Sequence, residues 1–341
     1  MQGIAFLGDR KVELMTFPDP VPGIGEVVVA MKASGICGTD LMLYRRPANA
    51  QQPPVVGGHE PCGVVAELGP GVDAARVKRG DRVMVHHYFG CATCDHCRSG
   101  WAQLCARAPV MVYGNNANGG HAPYLVVPAS TLIALPDELS FEAGAAISCG
   151  SGTAYAALRR LNVSGHDTIA IFGQGPVGLA ATQFAKAFGA RVIALDISSE
   201  RLARAAELGA DVTIDPNAGD AVAAIVEATG GRGADMVLET SGARSATTAA
   251  VRAARIWGSV CLVAGTGPVD VNILTDLVFR QITVFGSWTF SAAGQIECAR
   301  FVVERGIDVD AVFTHRWPLG AAAEAYRITD TQHAGKGVFL I

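Results

Sequence analysis

The stretch TIAIFGQGPVGLAATQFAKAFGARVIALD, Thr168 to Asp196, decides the fold of half of this chain. An apolar run ends in glycines, a helical stretch follows, and a second apolar run closes on a carboxylate. Glycine is common here, with 40 of 341 residues, so GxGxxG alone says little. Strand before, helix after and acid at the end of the next strand make it a dinucleotide loop. Gly173 permits the tight turn, Gly175 lets backbone approach a pyrophosphate, and Gly178 lets the helix pack close to the strand. Gln174, Pro176 and Val177 fill the loop between them, at a helix N-terminus whose free N–H groups suit phosphate. Asp196 lies where a carboxylate meets the adenosine ribose hydroxyls and repels a 2′-phosphate, so NAD is expected over NADP. Arg201 is a nearby cation that would soften that preference.

The same texture continues outward. RVIALD, DVTID, ADMVLET, GSVCLVAG and ITVFGS follow as further strands. SERLARAAELGA and ATTAAVRAARIWG lie between them with apolar residues at helical spacing. Six strands alternating with helices predict a doubly wound parallel sheet. The first 150 residues differ: EVVVAMKASGI, CGVVAELG, DRVMVHHY and YLVVPAS read as short strands of a mostly-β unit. After Trp288 come helix, extended piece and helix, and the tail is expected to rejoin the first unit. The expected domains are 1–151 with 289–341, and 152–288.

Half the residues are apolar, 17% are charged and the net charge is −4. No basic block suggests nucleic acid, and no apolar h-region behind a basic start suggests export. The charge-free run from Thr168 to Ala185 is broken by glycine and proline, so it predicts no membrane span. A cytoplasmic setting is expected, where clustered cysteines bind metal more often than they form disulfides.

CATCDHCRSGWAQLC places Cys91, Cys94, Cys97 and Cys105 in one short lobe. Four thiolates from one loop close a tetrahedral shell with no open position, which describes a structural zinc site. The gaps do not match the bacterial ferredoxin run, and a redox pair at CATC would leave Cys97 and Cys105 unexplained. A closed shell holds no substrate, so chemistry must lie elsewhere. Cys37 in GICGTD, His59 in GGHEPCG and Cys149 in AISCGSGTAY offer two thiolates and an imidazole. That donor set with a fourth position left open is a catalytic zinc shell. Cys62, Cys261 and Cys298 read as small buried hydrophobes.

Taken together, GICGTD, GHEPCGVV, GDRV, the cysteine lobe, Cys149, GQGPVG, ALD and GKGVFLI resemble the medium-chain zinc-dependent alcohol dehydrogenases over essentially the whole chain. The resemblance implies a GroES-like catalytic domain beside a Rossmann cofactor domain, two zinc ions and NAD. It also implies Cys37, His59 and Cys149 as catalytic-zinc ligands. Glu60 matches an acid that approaches the metal, Asp40 a carboxylate that orients the zinc histidine, and Thr39 a hydroxyl that meets the substrate alcohol. Thr153 and Val177 match positions beside the nicotinamide, Arg201 a cation near the adenosine, and Lys336 a cation near the pyrophosphate. Relatives assemble through edges of their cofactor domains, so a homo-oligomer is expected, tetramer over dimer.

Two departures stand out. Many relatives carry a proton-relay histidine five residues after the first zinc cysteine; here that residue is Met42, and a thioether carries no proton. The expected route is Thr39 to a cofactor ribose hydroxyl and then to water, with a nearby histidine, His86 or His87, as the candidate substitute. Polyol-type relatives often place glutamate where Cys149 stands, which tilts the expectation away from sorbitol-like substrates. His87 and Trp288 match positions that line the substrate cleft, and HHYFG and YGNNANGGH suit a hydroxylated or ring-containing substrate. Quinone-reductase-like relatives lack the metal ligands, and a zinc- and NAD-binding scaffold would need no open metal site. A reversible alcohol dehydrogenase with a small-molecule substrate is the leading expectation.

Overall fold

The structure, a computed structural model, describes residues 1–49, 53–332 and 335–341. It divides into two compact units, Met1–Gly152 with Phe290–Ile341, and Thr153–Thr289.

In the second unit six strands form one sheet. Across it run Val212–Ile214, Arg191–Leu195, Thr168–Phe172, Ala234–Glu239, Ala254–Leu262 and Thr283–Gly286. Every neighbouring pair is parallel. The unit's first strand, Thr168–Phe172, therefore lies inside, and the order reverses beside it, the Rossmann arrangement with its ligand crevice at the strand ends. Side chains alternate between faces. Ile193 and Leu195 pack with Ile225, Ala250 and Val251 on one side, while Ala194 meets Leu179 and Ala205 on the other. Each fully buried Ile, Leu or Val contributes about 1.5–3 kcal/mol over an exposed one. Helices are needed on both faces, and the sequence supplies them at Pro176–Ala187, Ser199–Glu207, Ala221–Ala228 and Arg244–Ala253.

One helix is shorter than its pattern suggested. ATTAAVRAARIWG reads as helical to its end, but the helix stops at Ala253 and Ala254–Leu262 is strand. Ala254 pairs with Ala234, with a register shift before Met236–Ser259. Sheet pairing overrides a weak local helix preference. Trp257 takes the left-handed conformation at this irregularity, φ +63°.

In the first unit seven strands share a sheet. Its path is Phe313–Pro318, Lys336–Leu340, Glu26–Ile36, Pro61–Leu68, Arg82–Val85 and Leu132–Ala134, and Tyr124–Pro128 also pairs with Glu26–Ile36. Lys336–Leu340 runs antiparallel to Ala33–Ile36, so the chain's last strand lies beside its third. Val27, Val29, Met31, Val65, Val83, Leu125 and Val127 build one core. Ile4, Phe6, Ile36, Tyr44, Trp317, Tyr326 and Phe339 build another. The hairpin Gln2–Gly8/Lys11–Thr16 and the helices Gly38–Arg45 and Phe141–Ile147 carry no strong sequence signal and add to this unit. Among the described residues no helix is long and apolar enough to cross a membrane.

Candidate metal centres and cofactor loop

The loop after Phe172 owes its shape to two steric facts. Gly173 has φ +87°, and a Cβ there would lie 2.8 Å from the Ser241 nitrogen. A Cβ on Gly178 would overlap the Gly173 carbonyl oxygen, so only glycine lets the helix sit this close. Gly175, by contrast, has no atom within 4 Å of where its Cβ would be. That open space above a helix N-terminus is what a pyrophosphate needs. The Gln174 side chain is buried and spent internally: its Nε2 donates to the Ile171 carbonyl and its Oε1 accepts from Thr182 Oγ1. Its backbone N–H is taken as well, donating to Asp196 Oδ2 at 2.6 Å. Asp196 Oδ1 accepts from the Ser198 N–H, which ties the carboxylate to the loop and to the next helix. Arg201 stands 3.9 Å from Asp196 Oδ2, close enough to offset part of its charge. Pro176 and Val177 open the helix Pro176–Ala187, and Thr153 is buried in the same unit.

Cys91, Cys94, Cys97 and Cys105 converge, with their sulfurs all within 4.8 Å of one another. Cys91 Sγ accepts from the Thr93 and Cys94 N–H groups and from Thr93 Oγ1. These donors, the Thr93 hydroxyl foremost, hold the Cys91 thiol down at about 5. A side chain on Gly90 would press on Cys97 Sγ at 2.7 Å, so the lobe closes around a glycine. Four sulfurs so placed fit one tetrahedral zinc.

The second cluster gathers Cys37, His59, Glu60 and Cys149, all buried, with one donor atom from each within 4.8 Å of the rest. The Cys37 and Cys149 sulfurs are 3.8 Å apart. Two thiolates at about 2.3 Å from a tetrahedral zinc would stand about 3.8 Å apart, so the spacing fits. Asp40 organises the set. Its Oδ2 accepts from the Cys37 N–H at 2.9 Å, and its Oδ1 accepts from His59 Nδ1 at 2.9 Å. With Nδ1 donating, Nε2 is left as the ligand nitrogen. Burial disfavours a charge on His59, but Asp40 and the Cys37 sulfur outweigh it and hold the ring above the ordinary imidazole range. The Cys149 thiol, donating to Cys37, favours a thiolate at Cys37 and lowers it well below an ordinary cysteine.

Glu60 Oε2 lies 2.5 Å from Lys336 Nζ. Glu60 Oε1 has no hydrogen-bond partner among the described residues although it is buried, the kind of orphan that a metal satisfies. Burial raises this carboxyl to about 7 against the opposing pull of Lys336. Lys336, matched by resemblance to the pyrophosphate, is 1% exposed beside the metal ligands.

The helix Gly38–Arg45 begins on Cys37 and exposes Thr39 in its first turn. Met42, one turn on, is 70% exposed. Neither candidate relay histidine reaches solvent. His87 is buried, donates from Nδ1 to the Ser148 carbonyl at 2.9 Å, and packs edge-on to His59 with ring centroids 5.2 Å apart. His86 pairs through Nδ1 with Gln295 Oε1, and burial holds it down at about 4. Both rings are therefore set back from solvent, as a histidine at the Met42 position would not be. Trp288, matched to a cleft position, is 57% exposed. Cys62, Cys261 and Cys298 are buried free thiols, as their sequence setting suggested. Sequence reasoning overlooked His121, a buried histidine behind the His59 loop; the GGH of NNANGGH was its one signal.

Comparison with known proteins agrees with this chemistry. Residues 23–137 match the alcohol dehydrogenase GroES-like domain, and residues 176–304 match the zinc-binding dehydrogenase family. The uncharacterized zinc-type alcohol dehydrogenase-like protein YphC of Escherichia coli K12 is 38% identical, over 97% of this chain and 96% of its own. An alcohol dehydrogenase of Geobacillus stearothermophilus is 36% identical over 86% of each chain. A solved NAD-dependent alcohol dehydrogenase superposes with a TM-score of 0.86 at 31% identity, covering 100% of both chains.

Proposed function

This chain belongs to the zinc-type alcohol dehydrogenase family, and from that premise we propose that it oxidises a primary or secondary alcohol to aldehyde or ketone, reversibly, with NAD. The single observation that carries the reading is the Cys37–His59–Cys149 cluster with its Asp40 clamp and Glu60 beside it.

When bound, zinc at this cluster supplies Lewis acidity to the substrate oxygen, and NAD accepts the hydride. The residues do the rest. Asp40 fixes the His59 tautomer and the Cys37 backbone together. Thr39, exposed one residue before Asp40, would accept the alcohol proton as its hydroxyl gives up its own, since Met42 carries none. The Cys91–Cys105 lobe holds a second zinc with a structural task. Asp196, bonded to the Gln174 and Ser198 N–H groups, supports NAD over NADP.

The protein is further proposed to work in the cytoplasm as a homo-oligomer, a tetramer rather than a dimer. Exposed apolar side chains of the second unit support association: Trp257, Ile273, Leu274, Phe279 and Val284, the last on the edge strand Thr283–Gly286.

The test is zinc per chain together with NAD reduction across secondary alcohols, polyols and primary alcohols. Two zinc ions and turnover are expected. Cys149→Ala should remove one zinc and all turnover while the melting temperature holds, and Cys94→Ala should remove the other and lower it. One zinc and no turnover in the unaltered protein would end this reading.

A further inference from the structure

His121 is fully buried, and it belongs neither to the metal ligands nor to the cofactor loop. Its Nδ1 lies 2.8 Å from Ser34 Oγ and its Nε2 lies 2.8 Å from Tyr326 Oη. Ser34 is on the central strand Glu26–Ile36 and Tyr326 is on the helix Ala322–Asp330. One imidazole thus spans two elements far apart in the chain. Burial keeps the ring neutral, holding it down at about 4, so one nitrogen donates and the other accepts.

The ring also rests on the loop that delivers His59. Gly58 has φ +85°, and a Cβ there would overlap the His121 ring. The His121 N–H donates to the Gly57 carbonyl at 3.0 Å, and the Gly120 N–H donates to the Gly58 carbonyl at 2.7 Å. Behind His59, then, the backbone of residues 57–58 is gripped by residues 120–121, and the grip is anchored through His121 to Ser34 and Tyr326. Ser34 adjoins Gly35, whose N–H donates to the Glu60 carbonyl at 3.2 Å. Both sides of the His59–Glu60 segment are therefore referenced to the same buried group.

We propose that His121 is a positioning residue for the metal centre, setting the place of His59 by bracing its loop against Ser34 and Tyr326. The inference rests on zinc binding at Cys37, His59 and Cys149. A chain of neutral hydrogen bonds suits the task, since it is directional, where an apolar ring of similar size would fill the space without fixing the loop's height. Asp40 sets which nitrogen of His59 faces the metal, and His121 sets where that nitrogen stands.

The test compares the intact protein, His121→Phe, and the triple variant Ser34→Ala/His121→Phe/Tyr326→Phe. The single variant strands two buried hydroxyls and should melt lower; the triple removes them and should regain most of that loss. Loss of metal to a chelator is followed for each site, with cobalt substituted at the Cys–His cluster as a spectroscopic reporter. Both variants are expected to release the Cys37–His59–Cys149 metal about tenfold or more faster, the scale of lost outer-shell support, while the lobe metal leaves at the unaltered rate. If the triple variant recovers metal retention along with its melting temperature, His121 only satisfies buried hydroxyls and the inference fails. Equal retention in the intact protein and His121→Phe would also overturn it. An intact protein that holds metal in the lobe alone would instead overturn the functional reading, and the inference with it.

Discussion

Lys336 and Glu60 form an ion pair sealed from water, with Nζ and Oε2 2.5 Å apart and side-chain exposures of 1% and 0%. The pair joins the closing strand Lys336–Leu340 to the residue after His59. Burying two charges is costly, and their attraction offsets the cost only while both are present. Lys336→Met should therefore cost about 3–5 kcal/mol in urea unfolding. Glu60→Gln/Lys336→Met should recover much of that loss. A single variant as stable as the parent would mean that the pair is not held in solution.

Asp40→Asn keeps the shape and loses the charge that His59 Nδ1 and the Cys37 N–H both address. The amide offers one acceptor where two are used, so the imidazole is free to present the wrong nitrogen. Zinc affinity at that cluster should fall about 10- to 100-fold, read by competition with a chromogenic chelator, with the lobe unaffected.

Asp196→Ala removes the acceptor of the Gln174 and Ser198 N–H groups and uncovers Arg201. KM for NAD should rise about tenfold, equivalent to about 1.4 kcal/mol. Activity with NADP should rise relative to NAD, because the repulsion of a 2′-phosphate is gone and a cation remains. Unchanged preference in steady-state assays would place the selection elsewhere.

Asp235 accepts from the Thr168 N–H at 2.8 Å and from Arg255 at 2.5 Å, fastening the starts of two strands. Burial opposes its ionisation, but these two partners prevail and hold it below the usual carboxylate range. A lowered folded-state pKa contributes stability above the unfolded value near 3.9, lost as pH falls through the folded value. Asp235→Asn should cost about 1.5 kcal/mol at pH 7, and the gap from the parent should close below about pH 4. A gap that persists in acid would mean a steric cause.

Much of this architecture was legible in the chain because its signals are local. Strand–GxGxxG–helix–strand–Asp is one contiguous stretch, and the lobe's four cysteines span fifteen residues. Cys37, His59 and Cys149 were legible as donors of the right kind, but being up to 112 residues apart they were joined firmly only by the resemblance. What escaped is what tertiary pairing decides. Ala254 leaves its helix because Ala234 offers a strand partner. The burial of Lys336 against Glu60 comes from the closing strand, which no local signal announces. His121 stood in YGNNANGGH without a readable role, because its partners lie 87 residues before it and 205 after.

Gly58 meets Gly114 and Gly119 backbone to backbone: a Cβ on Gly114 would stand 2.5 Å from the Gly58 carbonyl carbon, and one on Gly119 2.6 Å from the Gly57 carbonyl oxygen. No single substitution enters such a wall without pushing His59 off its mark. The backbone behind His59 consequently leaves no space for a side chain at these positions. Met42, exposed on the helix that begins at Cys37, stands on freer ground.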